Sequence, residues 1–216
     1  MGSRMVLTPT YPTARKGTHR PSIWGSAGYS LIEIMLVVGL IGVISSIAIP
    51  MTGHSLMNYR LTGDVRTLTN TVSLAKMRAA SNFDHSRVYV DLDANTYRLE
   101  TWQKTGVPGW IVEGASIPLS TGVSFGFSAL TAPPANTQGA LAQAPQCRTA
   151  AGAVIANTAC VVFNSRGIPI DSSSVPTALD AVYLTDGTAV YGVTASATGL
   201  IQLWTSPPST ATWTKQ

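Results

Sequence analysis

The sequence predicts an α+β protein in which one long N-terminal helix packs on an antiparallel β-sheet head. Three observations lead to this fold class. An apolar run from Ile34 to Pro50 carries no charge. Apolar residues then recur every three or four positions as far as Ala79, which is typical of one face of a helix. From Ser86 onward, apolar and polar residues alternate in short segments separated by turn residues, as in β-strands.

The composition fits an exported protein with one anchor. The chain has 216 residues, a length that suits one domain and a membrane segment. Charged residues make up 11% of it, against about 25% in an average globular domain. The first 28 residues hold four of the 14 Lys and Arg residues and no acid, which leaves ten basic and ten acidic residues in the remainder. The net charge of +4 therefore predicts membrane topology and not nucleic-acid binding.

Residues 29–50 form the predicted membrane-spanning helix. A helix of this length is about 33 Å long, enough to cross a hydrocarbon core of about 30 Å. The basic residues before it predict that residues 1–28 stay on the cytoplasmic side. Glu33 is the one charged residue in the span. Because a carboxylate in a membrane costs about 3 kcal/mol, Glu33 is expected to need a partner. Pro50 lacks a backbone N–H and is predicted to kink or locally open the helix.

The segment Gly28-Tyr29-Ser30-Leu31-Ile32-Glu33, between a basic leader and an apolar run, resembles the N-terminus of the type IV prepilins. The resemblance implies that residues 1–28 are a leader, that a prepilin peptidase cuts between Gly28 and Tyr29, and that Tyr29 is then N-methylated. The family usually carries phenylalanine at this position, and Tyr29 keeps an aromatic ring of similar size. Glu33 matches the family's glutamate, which neutralises the N-terminal ammonium when a subunit docks. The alternative is a carboxylate that only reaches the cytoplasmic interface.

Residues 51–82 are predicted to be an amphipathic helix that resumes after Gly53. Charged residues lie off one apolar stripe, which is expected to pack on the head. The stripe consists of Met57, Leu61, Val65, Leu68, Val72, Ala75 and Ala79. Asn82 is predicted to end the helix because asparagine tolerates the left-handed cap conformation.

Residues 83–216 are predicted to form a β-rich periplasmic head. Alternating segments on both sides of Asp93-Ala94-Asn95 predict a β-hairpin. Residues 128–158 show no periodicity and predict a long surface loop. The further strand candidates are Trp110–Val112, Gly122–Phe127, Ala159–Asn164, Ala181–Thr185, Ala189–Thr194 and Leu200–Trp204. Trp213, in the tail rich in threonine and proline, is the tryptophan of the head expected to be most exposed.

Cys147 and Cys160 are the two cysteines of the chain, and both lie in the predicted exported part. An even pair in an oxidising compartment is typical of a disulfide, and two free buried thiols remain the alternative. Two thiols without a histidine nearby do not make a zinc site.

The residue patterns favour a non-enzyme without a metal or cofactor. The three histidines, His19, His54 and His85, lie far apart in the sequence, and none belongs to an H-E-x-x-H pair. The spacing Asp91-x-Asp93-x-Asn95 begins like a calcium loop. Thr96 and Trp102 stand where such a loop needs glycine and glutamate, so hairpin turn chemistry explains these residues better.

Two short motifs extend the resemblance into the head. Leu74-Ala75-Lys76-Met77-Arg78-Ala79-Ala80 and Val162-Phe163-Asn164-Ser165-Arg166-Gly167 are similar to segments of the GspH/FimT type of minor pilins and H-type pseudopilins. The resemblance implies a single-pass inner-membrane protein with a periplasmic head, built into a type II secretion pseudopilus or a type IV pilus. Its expected partners are other pilins or pseudopilins, the inner-membrane assembly platform, a prepilin peptidase and membrane lipid.

Two other functions stay open at this point. A DNA-uptake minor pilin would need a basic head to contact phosphates, whereas this head is neutral, so no nucleic acid is expected. A membrane-anchored periplasmic adhesin or enzyme is the alternative from another functional class. The anchor motif is shared by secretion and pilus systems, so the sequence does not separate the two.

Overall fold

The computed structural model describes residues 28–178 and 180–216, and leaves out the side chains of residues 47–55. The predicted leader, residues 1–28, lies outside the described residues except for Gly28. The chain divides into two units between Ser46 and Ile47.

Helix α1 (Leu31–Ser81) is one continuous element. It starts after Ser30, whose carbonyl accepts hydrogen bonds from the backbone N–H groups of Glu33 and Ile34 at 3.0 and 3.2 Å. The expected restart after Gly53 is wrong, because the helical backbone continues through that position. A proline removes only one backbone hydrogen bond, which does not by itself end a helix. The side chain of Pro50 lies outside the described residues, so the kink there stays a prediction.

The second half of α1 turns the predicted apolar stripe toward the head. Met57 is half-buried, and the charged residues off the stripe are exposed or half-buried. The other six stripe positions are at most 1% exposed: Leu61, Val65, Leu68, Val72, Ala75 and Ala79. This burial pattern agrees with the amphipathic interpretation of this half.

The helix ends in a left-handed turn at Phe83 and not at the predicted Asn82. Phe83 has φ = 50°. The N–H of Asp84 donates to the Ala79 carbonyl at 3.1 Å, and the N–H of Phe83 donates to the Ala80 carbonyl at 3.4 Å. This pair of bonds is the Schellman arrangement. Because α1 continues to Ser81, the left-handed position falls one residue later than expected.

In the described part of the chain, α1 is followed only by β-strands and irregular segments, as predicted. The strands are β1 (Ser86–Asp91), β2 (Thr96–Gln103), β3 (Gly109–Pro118), β4 (Ser124–Phe125), β5 (Thr158–Phe163), β6 (Asp180–Thr185), β7 (Val190–Ala195), β8 (Ile201–Ser206) and β9 (Thr214–Lys215).

The strands form two antiparallel sheets where the sequence predicted a sheet without defining its partners. The first sheet has the order β3-β2-β1-β5, and the second has the order β4-β6-β7-β8-β9. The predicted hairpin is confirmed as β1 and β2, with Asp91 opposite Thr96. The predicted irregular segment 128–158 corresponds to the long loop between β4 and β5, except that Thr158 already begins β5.

One apolar core joins α1 to both sheets. The helix stripe packs together with buried side chains of the first sheet and of the second sheet. These sheet residues include Val88, Val90, Leu99, Val161 and Phe163 from the first sheet and Val182, Leu184 and Val193 from the second. The α+β class with a helix packed on antiparallel strands is thus present in the structure.

The C-terminal tail is more ordered than its composition indicates. Residues 214–215 form β9, which pairs with β8 and was not predicted. Trp213 is half-buried, because its ring lies 5.6 Å from that of Tyr183 and its Nε1 donates to the Ala132 carbonyl at 2.8 Å. The expectation that Trp213 is exposed is therefore wrong.

The two head motifs of the sequence meet at Lys76. Its ammonium donates to the Gly199 carbonyl at 2.8 Å. Its aliphatic carbons lie where a side chain at Gly167 would stand. Gly167 and Gly199 both have positive φ, and a Cβ on Gly199 would collide with the carbonyl oxygen of Gly167. The end of the helix and two turns of the head are thus fitted around these glycines.

We predict that Gly199→Ala destabilises the head by roughly 2–4 kcal/mol, because it adds left-handed strain and a backbone collision. The melting temperature of the full chain in detergent, followed by near-UV circular dichroism, should fall by roughly 5–15 °C. Gly187→Ala is the matched control, since Gly187 has a similar φ of 84° but open space around it. Equal losses in the two variants would contradict the close contact at Gly199.

Candidate functional site

The first half of α1 exposes apolar side chains on every side. From Leu31 to Ile44 the large apolar side chains are between 47% and 75% exposed. Successive residues of a helix point about 100° apart, so these positions cover its whole circumference. This segment is therefore an apolar surface on all sides of the helix.

The predicted processing residues lie at the accessible start of this segment. Tyr29 is 78% exposed. Gly28 has open space around its Cα within the described structure. Both precede the first helical residue, Leu31, so the peptide bond between them is outside regular secondary structure. Cleavage after Gly28 and methylation of Tyr29 stay predictions.

Glu33 lies in the first turn of α1. Its carboxylate forms no hydrogen bond or ion pair with any residue that the structure describes. The first turn of a helix favours a negative charge, because unpaired backbone N–H groups point toward it. Glu33 therefore remains available to a positive group from outside this segment.

Part of the predicted membrane helix lies outside the described side chains, namely residues 47–50. Among the residues that are described, no helix is long and apolar enough to cross a membrane.

The structure joins Cys147 and Cys160 in a disulfide. Both residues are buried, and they pack with Tyr89 on the face of the first sheet that points away from α1. The bridge ties the loop at residues 145–154 to β5. The disulfide interpretation of the two cysteines agrees with this structure.

Beside the disulfide lies a buried charge cluster that the sequence analysis missed. Arg87 and Glu100 are each 4% exposed at the side chain, and Arg87 donates to the Glu100 carboxylate at 2.6 and 2.7 Å. Arg98 donates to the other carboxylate oxygen at 2.7 Å. Burial lowers the pKa of the Arg87 guanidinium, while the Glu100 charge opposes that shift. Removing Glu100 would therefore leave a buried positive charge without a partner.

Aromatic rings enclose the two arginines. The Arg87 guanidinium lies 3.9 Å from the centre of the Trp110 ring, and that of Arg98 lies 3.8 Å from the centre of the Tyr89 ring. Trp102 contacts Trp110 edge to face at 5.2 Å. Stacked cations and aromatic rings attract each other, so this cluster stiffens the outer face of the first sheet.

A cavity of about 420 Å³ lies over this outer face. Arg87, Trp102 and the disulfide line it on one side, and Asp171 and Asp180 contribute to its wall. Such a volume is within the range of small-ligand sites. The lining brings charged and aromatic groups together.

Asp180 is the acid of this wall whose pKa is shifted. It is 2% exposed, and its Oδ2 has no hydrogen-bond partner in the described part of the chain. Burial, assisted by the charge of Asp171, raises the pKa of Asp180 to about 8. A buried acid without a partner keeps its proton at neutral pH, because the charged form is poorly solvated.

The chain contains one sequence pattern of the kind that surrounds a catalytic serine. In the described structure, no catalytic partner lies beside that serine. Gly122-Val123-Ser124-Phe125-Gly126, which the sequence interpretation missed, has the spacing of a nucleophile elbow. Ser124 lies on the short strand β4 and not on a strand-to-helix turn. Its hydroxyl forms no hydrogen bond with any described residue, a histidine included. The described structure therefore shows no base beside the Ser124 hydroxyl.

The three residues with the calcium-like spacing form hydrogen bonds within and around the hairpin turn. Asp91 accepts a hydrogen bond from the Ala94 N–H at 2.9 Å, and Asp93 accepts one from Asn157 at 2.7 Å. Asn95 accepts one from the Phe125 N–H at 3.1 Å and has φ = 50°. Among the described residues, no group of three or more His, Cys, Asp or Glu side chains is placed to hold a metal ion.

Comparison with known proteins gives little support for assigning this chain to a family. No protein-family model matches the sequence. No curated protein matches it. A solved structure to which the chain is similar is that of the minor pseudopilin EpsH from the Type 2 Secretion System of Vibrio cholerae. The match covers 70% of this chain and 99% of that chain, at 13% identity and a TM-score of 0.44. At this TM-score the similarity supports no conclusion about this chain.

We predict that Asp180 makes the stability of the head fall as the pH rises from about 4 to about 8. Unfolded Asp180 ionises near 3.8, whereas the folded residue keeps its proton up to about 8. Between these values the folded state binds more protons, so the free energy of unfolding decreases by at most about 1.4 kcal/mol per pH unit. Asp180→Asn should flatten this part of the melting-temperature profile.

Asp186→Asn is the control for that profile. Asp186 also has a buried Oδ2 without a partner, but it lies in the turn after β6, away from the cavity. Burial acts to raise its pKa, and hydrogen bonds from Thr188 and Ala189 outweigh this effect and lower it. This variant should lose stability at neutral pH and keep the slope between pH 4 and 8. An unchanged slope in Asp180→Asn would refute the assignment.

Proposed function

We propose that this chain is a minor pilin or pseudopilin, a structural subunit of a type II secretion pseudopilus or a type IV pilus. Residues 1–28 would be the cleaved leader, residues 29–50 the membrane span and assembly segment, and residues 51–82 the helix half that carries the head. The head, residues 83–216, would stand in the periplasm of a bacterium. The resemblance at residues 28–33 and the physical observations below support this proposal.

The observation that carries the proposal is the change of character along α1. Its second half buries a narrow stripe in the head, whereas its first half is exposed and apolar on all sides. A helix that is apolar around its whole circumference is stable only in lipid or inside a bundle of other helices. A pilin subunit needs both environments, since it leaves the membrane to enter the filament core.

Small residues of the first half support close helix packing. Gly39 and Gly42 have open space around them in the described structure. In lipid, where the hydrophobic effect between helices is absent, small residues let helix backbones approach each other. Neighbouring subunits are the natural source of those helices.

Glu33 supplies the charge pairing of the proposed assembly. After cleavage, the amino group of Tyr29 becomes a positive charge at the start of the helix. Both charges are costly in an apolar surrounding, and each lowers that cost for the other. Pairing of Glu33 with the Tyr29 ammonium, from its own chain or a neighbour, would therefore favour a docked subunit over an undocked one.

The disulfide agrees with the proposed location of the head. Structural disulfides form and persist in oxidising compartments such as the bacterial periplasm. The bridge between Cys147 and Cys160 lies within the head and after the proposed span.

A second candidate function is a membrane-anchored adhesin. The observation that favours it is the cavity of about 420 Å³ over the first sheet, with Trp102 and Arg87 in its lining. A purified chain that binds a glycan or peptide in this cavity, without entering filaments, would support this function over the structural one.

We predict that the mature protein starts at Tyr29 and carries one added methyl group. Intact mass spectrometry of the chain, extracted from the membranes of a host with an active prepilin peptidase, should show both changes. Gly28→Val should keep the leader, because a side chain at the scissile glycine obstructs the peptidase. Open space around Gly28 means that the substitution leaves the fold unchanged. A wild-type chain that keeps its leader in such a host would refute the proposal.

We predict that Glu33→Gln is processed normally but enters filaments poorly. The amide keeps the shape of the side chain and leaves the N-terminal ammonium without a negative partner. Incorporation into sheared filaments should fall by roughly tenfold or more. Asp93→Asn is the matched control, since Asp93 is exposed in the turn between β1 and β2 of the head and lies outside β3. Normal incorporation of Glu33→Gln, measured by quantitative immunoblot against membrane-retained protein, would show that Glu33 has no part in docking.

A further inference from the structure

Strand β3 is an open edge of the first sheet. It is ten residues long and pairs only with β2 in the described part of the chain. The opposite edge, β5, is partly covered by the chain that follows it, because the Ile170 N–H donates to the Val162 carbonyl at 2.9 Å. The edges of the second sheet, β4 and β9, have two residues each. Strand β3 therefore offers the longest run of uncovered edge groups in the described structure.

The irregular backbone and the proline that usually protect an edge lie in the second half of β3. Gly114 has φ = 85°, a register shift interrupts the pairing there, and Pro118 ends the strand. The first half, residues 109–113, contains no proline or lysine. Ile111 and Val112 are 45% and 47% exposed. Natural edge strands avoid such an apolar, unprotected segment unless it pairs with another strand.

The direction of the open hydrogen-bonding groups follows from the neighbouring strands. The Trp102 N–H donates to the His85 carbonyl at 2.9 Å, so Trp102 points toward β1. Backbone groups alternate in direction along an antiparallel strand. Thr101 therefore points toward β3, where it pairs with Ile111. By the same alternation, the N–H and C=O groups of Trp110 and Val112 point away from the sheet, toward the open edge.

This segment is complementary to itself in one antiparallel register. With Ile111 opposite Ile111, Trp110 of each copy lies opposite Val112 of the other, and their outward groups form four hydrogen bonds. Glu113 then lies opposite Gly109, so no like charges meet.

The two neighbouring registers would pair less favourably. Placing Trp110 opposite Trp110 puts Val112 opposite Pro108, which has no N–H to donate. Placing Val112 opposite Val112 puts Ile111 opposite Glu113 and brings Trp110 against the irregular backbone at Gly114.

We propose that β3 pairs antiparallel with β3 of a second copy of this chain, centred on Ile111. The pairing extends the first sheet across two molecules and does not rest on the proposed function. Five residues from each copy bury much less than the 1,200 Å² or so of a stable interface. The association is therefore weak and forms where the local concentration of the chain is high.

A single cysteine tests the register directly. Ile111→Cys in the full chain places two thiols opposite each other at a pair without mutual hydrogen bonds. Their Cβ atoms would be about 4.5–5.5 Å apart, close to the spacing that a disulfide needs. Because Cys147 and Cys160 are bonded to each other, the new thiol is the reactive one. Mild oxidation should give a covalent dimer on a non-reducing gel.

Val112→Cys is the matched control, because Val112 is as exposed as Ile111. In the proposed register its thiols lie diagonally, about 7–8 Å apart, which is too far for a disulfide. The dimer yield from Ile111→Cys should exceed that from Val112→Cys by about fivefold or more. Adding Val112→Pro to Ile111→Cys removes only an outward N–H, so the fold is kept and the yield should fall to the control level.

Three results would overturn the proposal. Equal yields from the two single variants would indicate random collision, and a proline variant that still cross-links would exclude backbone pairing. An adduct whose mass is not twice that of the chain would identify another protein as the occupant. The mass of the monomer band also reports whether the leader has been removed, so failure of the pairing is distinguishable from failure of the proposed function.

Discussion

The head depends on one interaction, the packing of the apolar stripe of α1 against both sheets. The same buried cluster contains helix side chains, such as Leu61 and Leu68, and inner-face side chains of each sheet. Polar contacts fix the two ends of this packing. Asp64 accepts hydrogen bonds from the Ser120 N–H and hydroxyl at 2.8 and 3.0 Å, and Lys76 donates to the Gly199 carbonyl. Each sheet thus covers its apolar face only while the helix is in place.

This packing divides α1 into two functional parts. The second half buries its apolar face against the head, and its polar faces remain in water. The first half has no such single face, since its exposed apolar side chains lie on all sides of the helix. Helix α1 therefore continues from its packed half into a segment whose apolar side chains are exposed. The proposed filament role rests on this exposed apolar segment and on the charge of Glu33 at the start of the helix.

Local patterns were sufficient for part of this structure. The stripe of α1 and the first hairpin could be predicted because helix and strand periodicity depend on neighbours in sequence. The pairing of Arg87 with Glu100 also follows from the hairpin register, in which Asp91 lies opposite Thr96. The burial of that pair could not be predicted, because it depends on the distant loop that the disulfide holds over β1.

Features that depend on distant contacts were missed. The split into two sheets reflects a choice of strand partners, and alternation in one strand does not reveal which strand lies beside it. The order of the tail comes from Trp213, which packs on Tyr183. The raised pKa of Asp180 arises from its surroundings in the fold. The candidate site at residues 28–33 was recognisable in sequence because its signal is a short, contiguous motif.

A nitroxide scan along α1, with the full chain in lipid vesicles, tests the central claim most directly. Each position from 31 to 46 and from 57 to 81 would carry one spin label, and its collisions with oxygen and with a water-soluble nickel complex would be measured. The account predicts high oxygen and low nickel accessibility on all sides of the first segment. It predicts a period of about 3.6 residues in the second segment, with Leu61 and Leu68 shielded from both reagents. Regular access of nickel to one face of residues 31–46 would contradict the account.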